Sequence, residues 1–423
     1  MRYFYSFLLY LAVPFILLRL LWRSRQQPDY RVRLAERFGF YTQKVDRSIW
    51  VHTVSVGEII AAIPLIKALQ QQYPALPIIV TTMTPTGSAR VKSEFGNSVT
   101  HVYLPYDLSG AVDRFLRAFR PIIAIILETE MWPNLLAACE KQNIPVCLMN
   151  ARLSEKSARG YRLIAPLTRQ MLQQMTMIAA QAAADAARFI HLGAAKERVS
   201  VTGNIKFDLT LPNNLAEQSA VLREQLGKEK FIWIAASTHS GEEEIILAAH
   251  KKIRVQHPES LLILVPRHID RFDAVAKLCE REFLLKRRSL AQVCDDQTSV
   301  YLADTMGELP LMYAVSDVAF VGGSLIPHGG HNILEPAALA KPIITGPHLF
   351  NFADINHLFV DADAFIKVND NVSLAAAIIL LIKNIDARNE LGLRALEVID
   401  ANRGALQKQL HLINQVLSHH RAA

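Results

Sequence analysis

The sequence is poor in cysteine and in charge, and each shortage excludes a class of protein. Four cysteines occur among 423 residues with no CxxC pair, so neither a disulfide framework nor a cysteine zinc site is supported, and a reducing cytosol fits best. Charged residues make up 20% and apolar residues 51%, which argues against a disordered chain. The chain has no solenoid-length repeat, and its length predicts two or three domains.

The net charge of +7 is concentrated at the N-terminus. The first fifty residues hold nine Lys or Arg against three Asp or Glu, whereas the remainder is close to neutral. A nucleic-acid-binding protein would spread its basic residues over the chain, so no nucleic-acid partner is expected. The basic surface is therefore predicted to be local.

An apolar segment lies beside these basic residues. As a helix, Tyr3–Trp22 would span about 30 Å, the thickness of the bilayer hydrocarbon core, although Pro14 and Arg19 weaken this prediction. Bulky residues stand where a signal peptidase would need small ones, so we expect residues 1–25 to be a retained anchor. The arginines after the apolar run predict the cytoplasmic side of the inner membrane for the rest of the chain. A helix lying on the bilayer or on the protein is the alternative.

Beyond Trp50, short apolar runs alternate with helical stretches, which indicates βαβ units. The runs are apolar on consecutive residues, as in parallel strands covered by helices on both faces. We predict an α/β chain with two Rossmann-like domains facing a cleft and ligands at the carboxyl ends of the strands. The expected segments are a first domain over 26–204, a linker over 205–214, a second domain over 215–400, and a C-terminal helix over 401–423 that could pack back on the first domain.

Three motifs of the first half carry candidate catalytic residues. HTVSVGE ends at Glu58, which could act as a general base or simply stabilise a helix N-terminus. An ordinary glutamate titrates at about pH 4.3, so Glu58 is expected to be ionised at neutral pH. LETEMWP supplies Glu128 and Glu130, of which at most one should face a ligand if the strand continues. Lys206, in GNIKFD, could reach an anion or be an exposed linker residue.

The second half carries a glycine-rich segment, GGSLIPHGGHNILEP, before a predicted helix over Asn332–Ala340. Its four glycines would let a phosphate reach bare backbone amides at the helix N-terminus, unless the turn serves packing alone. Glu335 is suited to accept hydrogen bonds from ribose hydroxyls. The segment matches neither GxGxxG nor the Walker pattern, which argues against hydride transfer and NTP hydrolysis. His328 and His331 have no third ligand nearby, so no metal is expected.

Three further strand ends favour an anionic ligand. Ser237 and Thr238 precede a helix that their hydroxyls could cap, or they could bind a phosphate or sugar carboxylate. Arg267 could make bidentate contacts with phosphate or carboxylate oxygens. DTMGEL resembles a base-reading loop. Each motif is weak alone, but all are expected at one crevice.

Through nearly the whole chain and in the same order, these motifs resemble those of the 3-deoxy-D-manno-octulosonic acid (Kdo) transferase family. The resemblance implies a GT-B glycosyltransferase fold, an inverting reaction without metal or other cofactor, CMP-Kdo as donor, and the lipid A precursor lipid IVA as acceptor in lipopolysaccharide biosynthesis. It implies that Glu58 is the catalytic base and that Glu128 and Lys206 stabilise the transition state. The resemblance also implies CMP contacts at Pro266, Arg267, Met306, Gly307, Glu308, Asn332, Ile333, Leu334 and Glu335. Together with Ser237, Thr238, Gly329 and Gly330, these residues form the expected donor site.

Two other interpretations stay open at this point. A GT-B enzyme that uses a UDP-sugar would share the crevice and the acidic ribose contact. A noncatalytic membrane scaffold would explain the anchor and the basic N-terminal surface, but not five ligand-type loops at strand ends. Inner-membrane lipids and the phosphates of the acceptor are the expected partners of that basic surface.

Overall fold

The chain folds into two compact units, each built around its own parallel sheet. The structure is a computed structural model that describes residues 1–422, apart from the side chains of Gln26 and residues 420–422. Unit 1 consists of Met1–Asp208 and the chain from Arg403 onward, and unit 2 of Leu209–Asn402. The prediction of two parallel α/β domains is confirmed.

Unit 1 contains a seven-stranded parallel sheet. Its strands are β1 (Ser48–His52), β2 (Ile78–Thr82), β3 (Thr100–Tyr103), β4 (Pro121–Leu127), β5 (Val146–Ala151), β6 (Met177–Ala180) and β7 (Val199–Val201). They lie in the order β3-β2-β1-β4-β5-β6-β7. The order reverses between β1 and β4, and in open α/β sheets ligands bind at such a switch point, beyond the carboxyl ends of the strands.

Helices cover both faces of this sheet because alternate side chains of each buried strand point to opposite faces. Trp50 packs with Phe115 on one face, and Ile49 and Val51 pack in the cluster on the other. The helices are α1 (Arg2–Gln26), α2 (Val56–Gln72), α3 (Pro85–Phe95), α4 (Ser109–Phe119), α5 (Pro133–Lys141), α6 (Glu155–Leu163), α7 (Ala165–Gln173) and α8 (Ala183–His191).

Unit 2 repeats the architecture with a second seven-stranded parallel sheet. Its strands are β8 (Ile232–Thr238), β9 (Leu261–Pro266), β10 (Leu285–Arg287), β11 (Val300–Leu302), β12 (Val318–Val321), β13 (Ile343–Thr345) and β14 (Ile366–Lys367). Their order is β10-β11-β9-β8-β12-β13-β14, so the switch point lies between β8 and β12. Its helices are α9 (Leu215–Leu226), α10 (Glu243–Gln256), α11 (Phe272–Cys279), α12 (Leu309–Val315), α13 (Leu334–Ala338), α14 (Ala353–Asp361), α15 (Asn371–Lys383) and α16 (Ile385–Asn402).

The last helix, α17 (Ala405–Ala422), packs on unit 1, where it contacts α2, β5 and β6. Ile413 is fully buried in the apolar cluster of that face. The carboxylate of Asp208 accepts the backbone N–H groups of Gly404 and Leu406, each at 2.7 Å. One side chain thus satisfies two amides at the start of α17 and ties the C-terminal segment to the end of unit 1.

Among the described residues, one helix, α1, is long and apolar enough to cross a membrane. Pro14 lies inside it without ending it. Near its start, the Ser6 hydroxyl donates to the side-chain oxygen of Asn134 at 2.9 Å, which ties the helix to α5. Much of its remaining surface is apolar and exposed, including Tyr3, Phe4, Phe7, Leu11, Phe15, Leu18 and Trp22. This exposed apolar surface supports association with a membrane.

Candidate active site

Glu58 lies in the first turn of α2, at the carboxyl end of β1. Its Oε2 accepts the backbone N–H of Val54 at 2.7 Å, and its Oε1 accepts the hydroxyl of Ser55 at 3.0 Å. Ser55 is the N-cap, and its hydroxyl accepts the N–H of Glu58 at 3.3 Å. Glu58 therefore has the helix-stabilising contacts that its position suggested, with its N–H capped by the Ser55 hydroxyl. Those contacts hold its carboxylate at the ligand-binding edge of the sheet.

The surroundings of Glu58 change its protonation. Burial raises the pKa of Glu58 to about 7, and the negative charges of Glu128 and Glu130 act in the same direction. The hydrogen bond from Val54 opposes them. Glu58 was expected to be ionised at neutral pH; with its pKa raised to about 7, both the protonated and the ionised form are populated there. Such a group can take up a proton and release it at neutral pH.

Glu128 and Lys206 form an ion pair in the same region of unit 1. The Lys206 Nζ donates to Glu128 Oε1 at 3.1 Å, and both side chains are about one quarter exposed, at 27% and 24%. Strand β4 ends at Leu127, and Glu128 takes the left-handed conformation with φ of 60°. The strand does not continue, so the argument that Glu128 and Glu130 must face opposite ways fails. Both acids act on the pKa of Glu58.

Lys206 lies in a bonded turn and is not an exposed linker residue. The short 3₁₀ turn Ile205–Phe207 follows β7 within unit 1. Asn204 caps this turn by accepting the Lys206 N–H at 3.0 Å, and the side-chain oxygen of Asn150 accepts the N–H of Ile205 at 3.0 Å. These contacts hold the lysine beside Glu128, so the linker interpretation of Lys206 is wrong.

In unit 2, Arg267 and Glu335 lie at the same end of the sheet. Arg267 follows β9, and its backbone N–H donates to the carbonyl of Thr238 at the end of β8 at 3.0 Å. Burial raises the pKa of Glu335, whereas the Asn332 side chain, which donates to Oε1 at 3.1 Å, and the charge of Arg267 lower it. The cation and the acid expected at the donor site are thus close enough to interact.

A second group of expected donor-site residues lines one cavity of unit 2: Ser237, Pro266, Arg267, Met306, Gly307 and Glu308. Glu308 is fixed there by Arg288, which donates to its two carboxylate oxygens at 2.7 and 3.1 Å. The pairing lowers the pKa of Glu308. Arg288 was not a sequence candidate, because nothing in the pattern of DTMGEL indicates a partner twenty residues earlier.

The glycine-rich loop binds a carboxylate of the protein itself. Glu242, which is fully buried before α10, accepts the backbone N–H groups of Gly323 at 2.7 Å, Ser324 at 3.1 Å and Leu325 at 3.0 Å. It also accepts the N–H of His239 at 3.3 Å. These amides are already bonded, so the expectation of a bare amide cradle at the first glycine pair is wrong. No sequence signal links Glu242 to this loop, because the two are some eighty residues apart in the chain.

The second glycine pair serves packing. A Cβ on Gly329 would lie 2.5 Å from the ring of Phe350, and one on Gly330 would lie 3.0 Å from Leu349. Both residues have left-handed φ, at 93° and 75°. The N–H of Gly330 donates to the carbonyl of Gly323 at 2.8 Å. Glycine is required at both positions for close approach and for backbone conformation, independently of any ligand.

The helix after this loop is shorter than predicted. Helix α13 covers Leu334–Ala338 rather than Asn332–Ala340, and the Asn332 side chain accepts the N–H of Leu334 at 3.1 Å. Helix α13 has only five residues, and its first N–H is already bonded to Asn332. It therefore does not provide the free helix N-terminus that was expected to hold a phosphate. The side chains of Ile333 and Leu334 are buried, which leaves only their backbone for contact with a ligand.

Thr238 has a role inside unit 2. It is fully buried, and its hydroxyl donates to Glu243 at 3.0 Å. Glu243 is in turn paired with Arg271 at 2.5 Å. Ser237 beside it is partly exposed and has a left-handed φ of 58°, so it is the member of the pair that lines the cavity.

A larger cavity of about 680 Å³ lies elsewhere in unit 1. It is lined by Lys44, Arg114, Arg117 and Arg120, and Arg120 directly precedes β4. The cavity is therefore at the amino end of the strand, opposite to the end that carries Glu58. Within residues 1–422, no group of three or more His, Cys, Asp or Glu is arranged to hold a metal ion.

Comparison with known proteins shows the family. A family model described as 3-deoxy-D-manno-octulosonic-acid transferase (kdotransferase) matches residues 32–209. The chain is 46% identical over 421 residues to a 3-deoxy-D-manno-octulosonic acid transferase of Haemophilus influenzae, covering 98% of this chain and 99% of the relative. It belongs to the Kdo transferase family. A probable mitochondrial family member of Arabidopsis thaliana is 33% identical over 392 residues, which cover 90% of this chain and 88% of that protein.

Solved structures extend the likeness at the level of the fold. The UDP-GlcNAc 2-epimerase of Neisseria meningitidis aligns with a TM-score of 0.58 at 14% identity, over 88% of this chain and 100% of that one. The Anabaena protein HepE in complex with UDP aligns with a TM-score of 0.54 at 13% identity, over 88% and 100%. They support the predicted GT-B architecture for this Kdo transferase family member. Membership in a family of glycosyltransferases removes the noncatalytic scaffold as an interpretation.

Replacing Glu242 with glutamine tests its contacts with the glycine-rich loop. An amide offers one acceptor oxygen in place of two, so buried N–H groups of the loop lose their partner, and we expect unit 2 to be destabilised by about 2–3 kcal/mol. Urea unfolding measures the loss, and Glu244→Gln on the exposed side of the same helix is the control. Equal stability of the two variants would contradict the role of Glu242.

Proposed function

We propose that this protein transfers Kdo from CMP-Kdo to the lipid A precursor lipid IVA, with inversion at the anomeric carbon, in lipopolysaccharide biosynthesis. The observation that carries the proposal is the cluster of the buried Glu58 with the partly exposed pair Glu128 and Lys206, in a chain of the Kdo transferase family. The proposal assigns activation of the acceptor to unit 1 and binding of the donor to unit 2.

Glu58 is the proposed general base. In its ionised form it takes the proton of an acceptor sugar hydroxyl while that oxygen attacks the anomeric carbon of Kdo. A pKa of about 7 suits this task, because the carboxylate is present at neutral pH and is more basic than an ordinary glutamate. The neighbouring Glu128 carboxylate can stabilise an oxocarbenium-like transition state.

The donor contacts are proposed at the carboxyl ends of β8 and β9. Arg267 is exposed and can contact phosphate or carboxylate oxygens, and the carboxylate of Glu335 can accept hydrogen bonds from ribose hydroxyls. The cavity lined by Met306, Gly307 and Glu308 is the proposed site of the cytosine. The backbone of Ile333 and Leu334 is proposed to add further contacts with the donor. CMP then leaves with its negative charge offset in part by Arg267.

The proposed location is the cytoplasmic face of the inner membrane. Helix α1 supplies the apolar surface, and the arginines at its end and after it are suited to anionic lipid headgroups and to the phosphates of the acceptor. The positive-inside rule favours the cytoplasmic side for the residues that follow.

Mass spectrometry of the lipid product tests the proposal. Purified protein is incubated with lipid IVA and with either CMP-Kdo or UDP-sugars. We expect lipid IVA to gain the mass of one or more Kdo units with CMP-Kdo alone. Transfer from a UDP-sugar, or no product from folded protein with CMP-Kdo, would contradict the proposal.

Glu58→Gln is expected to lower kcat by about 10²- to 10⁴-fold, which is the usual contribution of a general base. The amide oxygen can still accept the Val54 N–H, so the fold is retained. CMP binding serves as the internal control, since the proposed donor residues belong to unit 2. A folded variant with full turnover would show that another group removes the proton.

The pH dependence of kcat/KM reports the ionisation of Glu58 in the free enzyme. Activity should fall as the pH drops through about 7, because the protonated carboxyl cannot act as a base. Glu128→Gln should move this acid limb to lower pH, since the Glu128 charge raises the pKa of Glu58. Glu197→Gln, an exposed acid of unit 1, is the control. An acid limb that stays near pH 4.5 in the wild type would contradict the assignment.

Arg267→Ala should act on the donor. Loss of a charged contact with the phosphate or carboxylate should raise the KM for CMP-Kdo by about 10- to 100-fold, with a smaller effect on the KM for lipid IVA. Steady-state kinetics with each substrate varied in turn measures the difference. Arg281→Ala, an exposed arginine of the same unit, is the control. An unchanged donor KM would remove Arg267 from the donor site.

A further inference from the structure

Four histidine rings gather at the carboxyl end of the unit 2 sheet. His239 follows β8, His268 follows β9, and His328 and His331 belong to the loop between β12 and α13. The His239 ring stacks on His328 with centroids 4.2 Å apart and on His331 with centroids 5.0 Å apart, and His268 meets it edge-on at 5.3 Å. His268 directly follows Arg267 in the sequence, and the charge of Arg267 acts on both His239 and His331.

Two of these rings share a hydrogen bond. The Nε2 atoms of His239 and His331 are 2.7 Å apart, so one must donate and the other accept. The two nitrogens therefore hold one proton between them. Gly323 makes room for this arrangement, because a Cβ there would lie 3.0 Å from both Cδ2 and Nε2 of His331.

The groups that face the pair are mostly cationic or able to become so. Burial, together with the positive charges of Arg267, His268 and His328, lowers the pKa of both His239 and His331 to about 4. Arg271, from the turn before α11, adds to the effect on His239.

The nearby acids are already engaged with other groups. Glu242 accepts backbone amides, and Glu335 is bonded to Asn332. The site therefore combines several groups able to carry positive charge with two acids, Glu242 and Glu335, that are bonded to other groups.

We propose that the His239–His331 pair, with Arg267, is the subsite for an oxyanion of the donor, either its phosphate or its carboxylate, and that it binds this anion together with one proton. The inference rests on the proposed function and deepens it, because it identifies which unit 2 groups carry the donor's charge now that the glycine-loop amides are known to be bonded internally.

The proton balance of this step is simple. In the free protein the pair is neutral, with one proton on the Nε2–Nε2 bond and one on the second nitrogen of the accepting ring. An anion beside the pair favours the charged form, so a proton from solvent adds to the free nitrogen of the donating ring. The pair then carries one positive charge opposite the anion. No covalent bond forms or breaks, and the proton returns to solvent when the anion leaves.

Isothermal titration calorimetry of the full chain in detergent tests the inference. CMP, cytidine and free Kdo are titrated at pH 7.5 in buffers of different ionisation enthalpy, and the slope of observed heat against buffer enthalpy gives the protons taken up. At this pH the CMP phosphate, with a second pKa of about 6, changes its own protonation little. The variants are His239→Gln and His331→Gln, which cannot be protonated, and the control is His357→Gln, an exposed histidine of unit 2.

We expect wild type and His357→Gln to take up a proton fraction approaching one with the anionic probe, and both pair variants to take up none and bind about tenfold more weakly. Uptake with CMP but not cytidine or Kdo assigns the phosphate, and uptake with Kdo but not CMP assigns the carboxylate. Should a variant fail to fold, the wild-type slope alone decides whether a proton is bound.

Binding of CMP and Kdo without proton uptake from either, or with equal uptake in wild type and both pair variants, would overturn the inference while leaving the proposed function intact. A folded wild-type chain that binds neither CMP nor Kdo would overturn both. The two failures are therefore distinguishable by the binding isotherm itself.

Discussion

Each unit buries a glutamate carboxylate at the start of the helix that follows the first strand of its sheet, and the rest of both sites depends on how that charge is satisfied. Removing an ionised carboxylate from water is unfavourable unless hydrogen bonds replace the lost hydration. In unit 2, Glu242 accepts four backbone N–H groups and holds the glycine-rich loop. In unit 1, Glu58 has two donors and two acidic neighbours, so its carboxyl retains a proton up to about pH 7.

The same position in two similar folds thus has two different uses. The well-bonded Glu242 shapes a loop, and the poorly compensated Glu58 has the basicity that proton abstraction needs. A parallel sheet makes both possible, because the carboxyl ends of adjacent strands meet at one edge and bring residues far apart in sequence together. The Glu128–Lys206 pair and the histidine cluster are products of that geometry.

The sequence was sufficient for features that depend on local pattern. Consecutive apolar residues predicted buried parallel strands, and the position of Glu58 after the first strand predicted both its helix-capping contacts and its place at the sheet edge. It was insufficient where a distant partner decides the outcome. The Glu242 carboxylate accepts backbone N–H groups some eighty residues later in the chain. The loop that was predicted to bind a phosphate is therefore hydrogen-bonded within the protein. The pKa of Glu58 depends on burial, which no single motif contains.

Family membership and fold likeness carry different weight for this chain. Kdo transferases match it over nearly its full length, whereas epimerase and HepE structures share the architecture at 13–14% identity. The common architecture provides two sheets with ligand-binding edges, and the side chains placed on those edges decide the chemistry.

The central claim is that burial and neighbouring acids prepare Glu58 to act as a base near neutral pH. Infrared difference titration of the wild type against Glu58→Gln isolates the carboxyl band of this one side chain and follows it with pH. The account predicts a midpoint of about 7. A midpoint near 4.5, the value of a solvated glutamate, would contradict it.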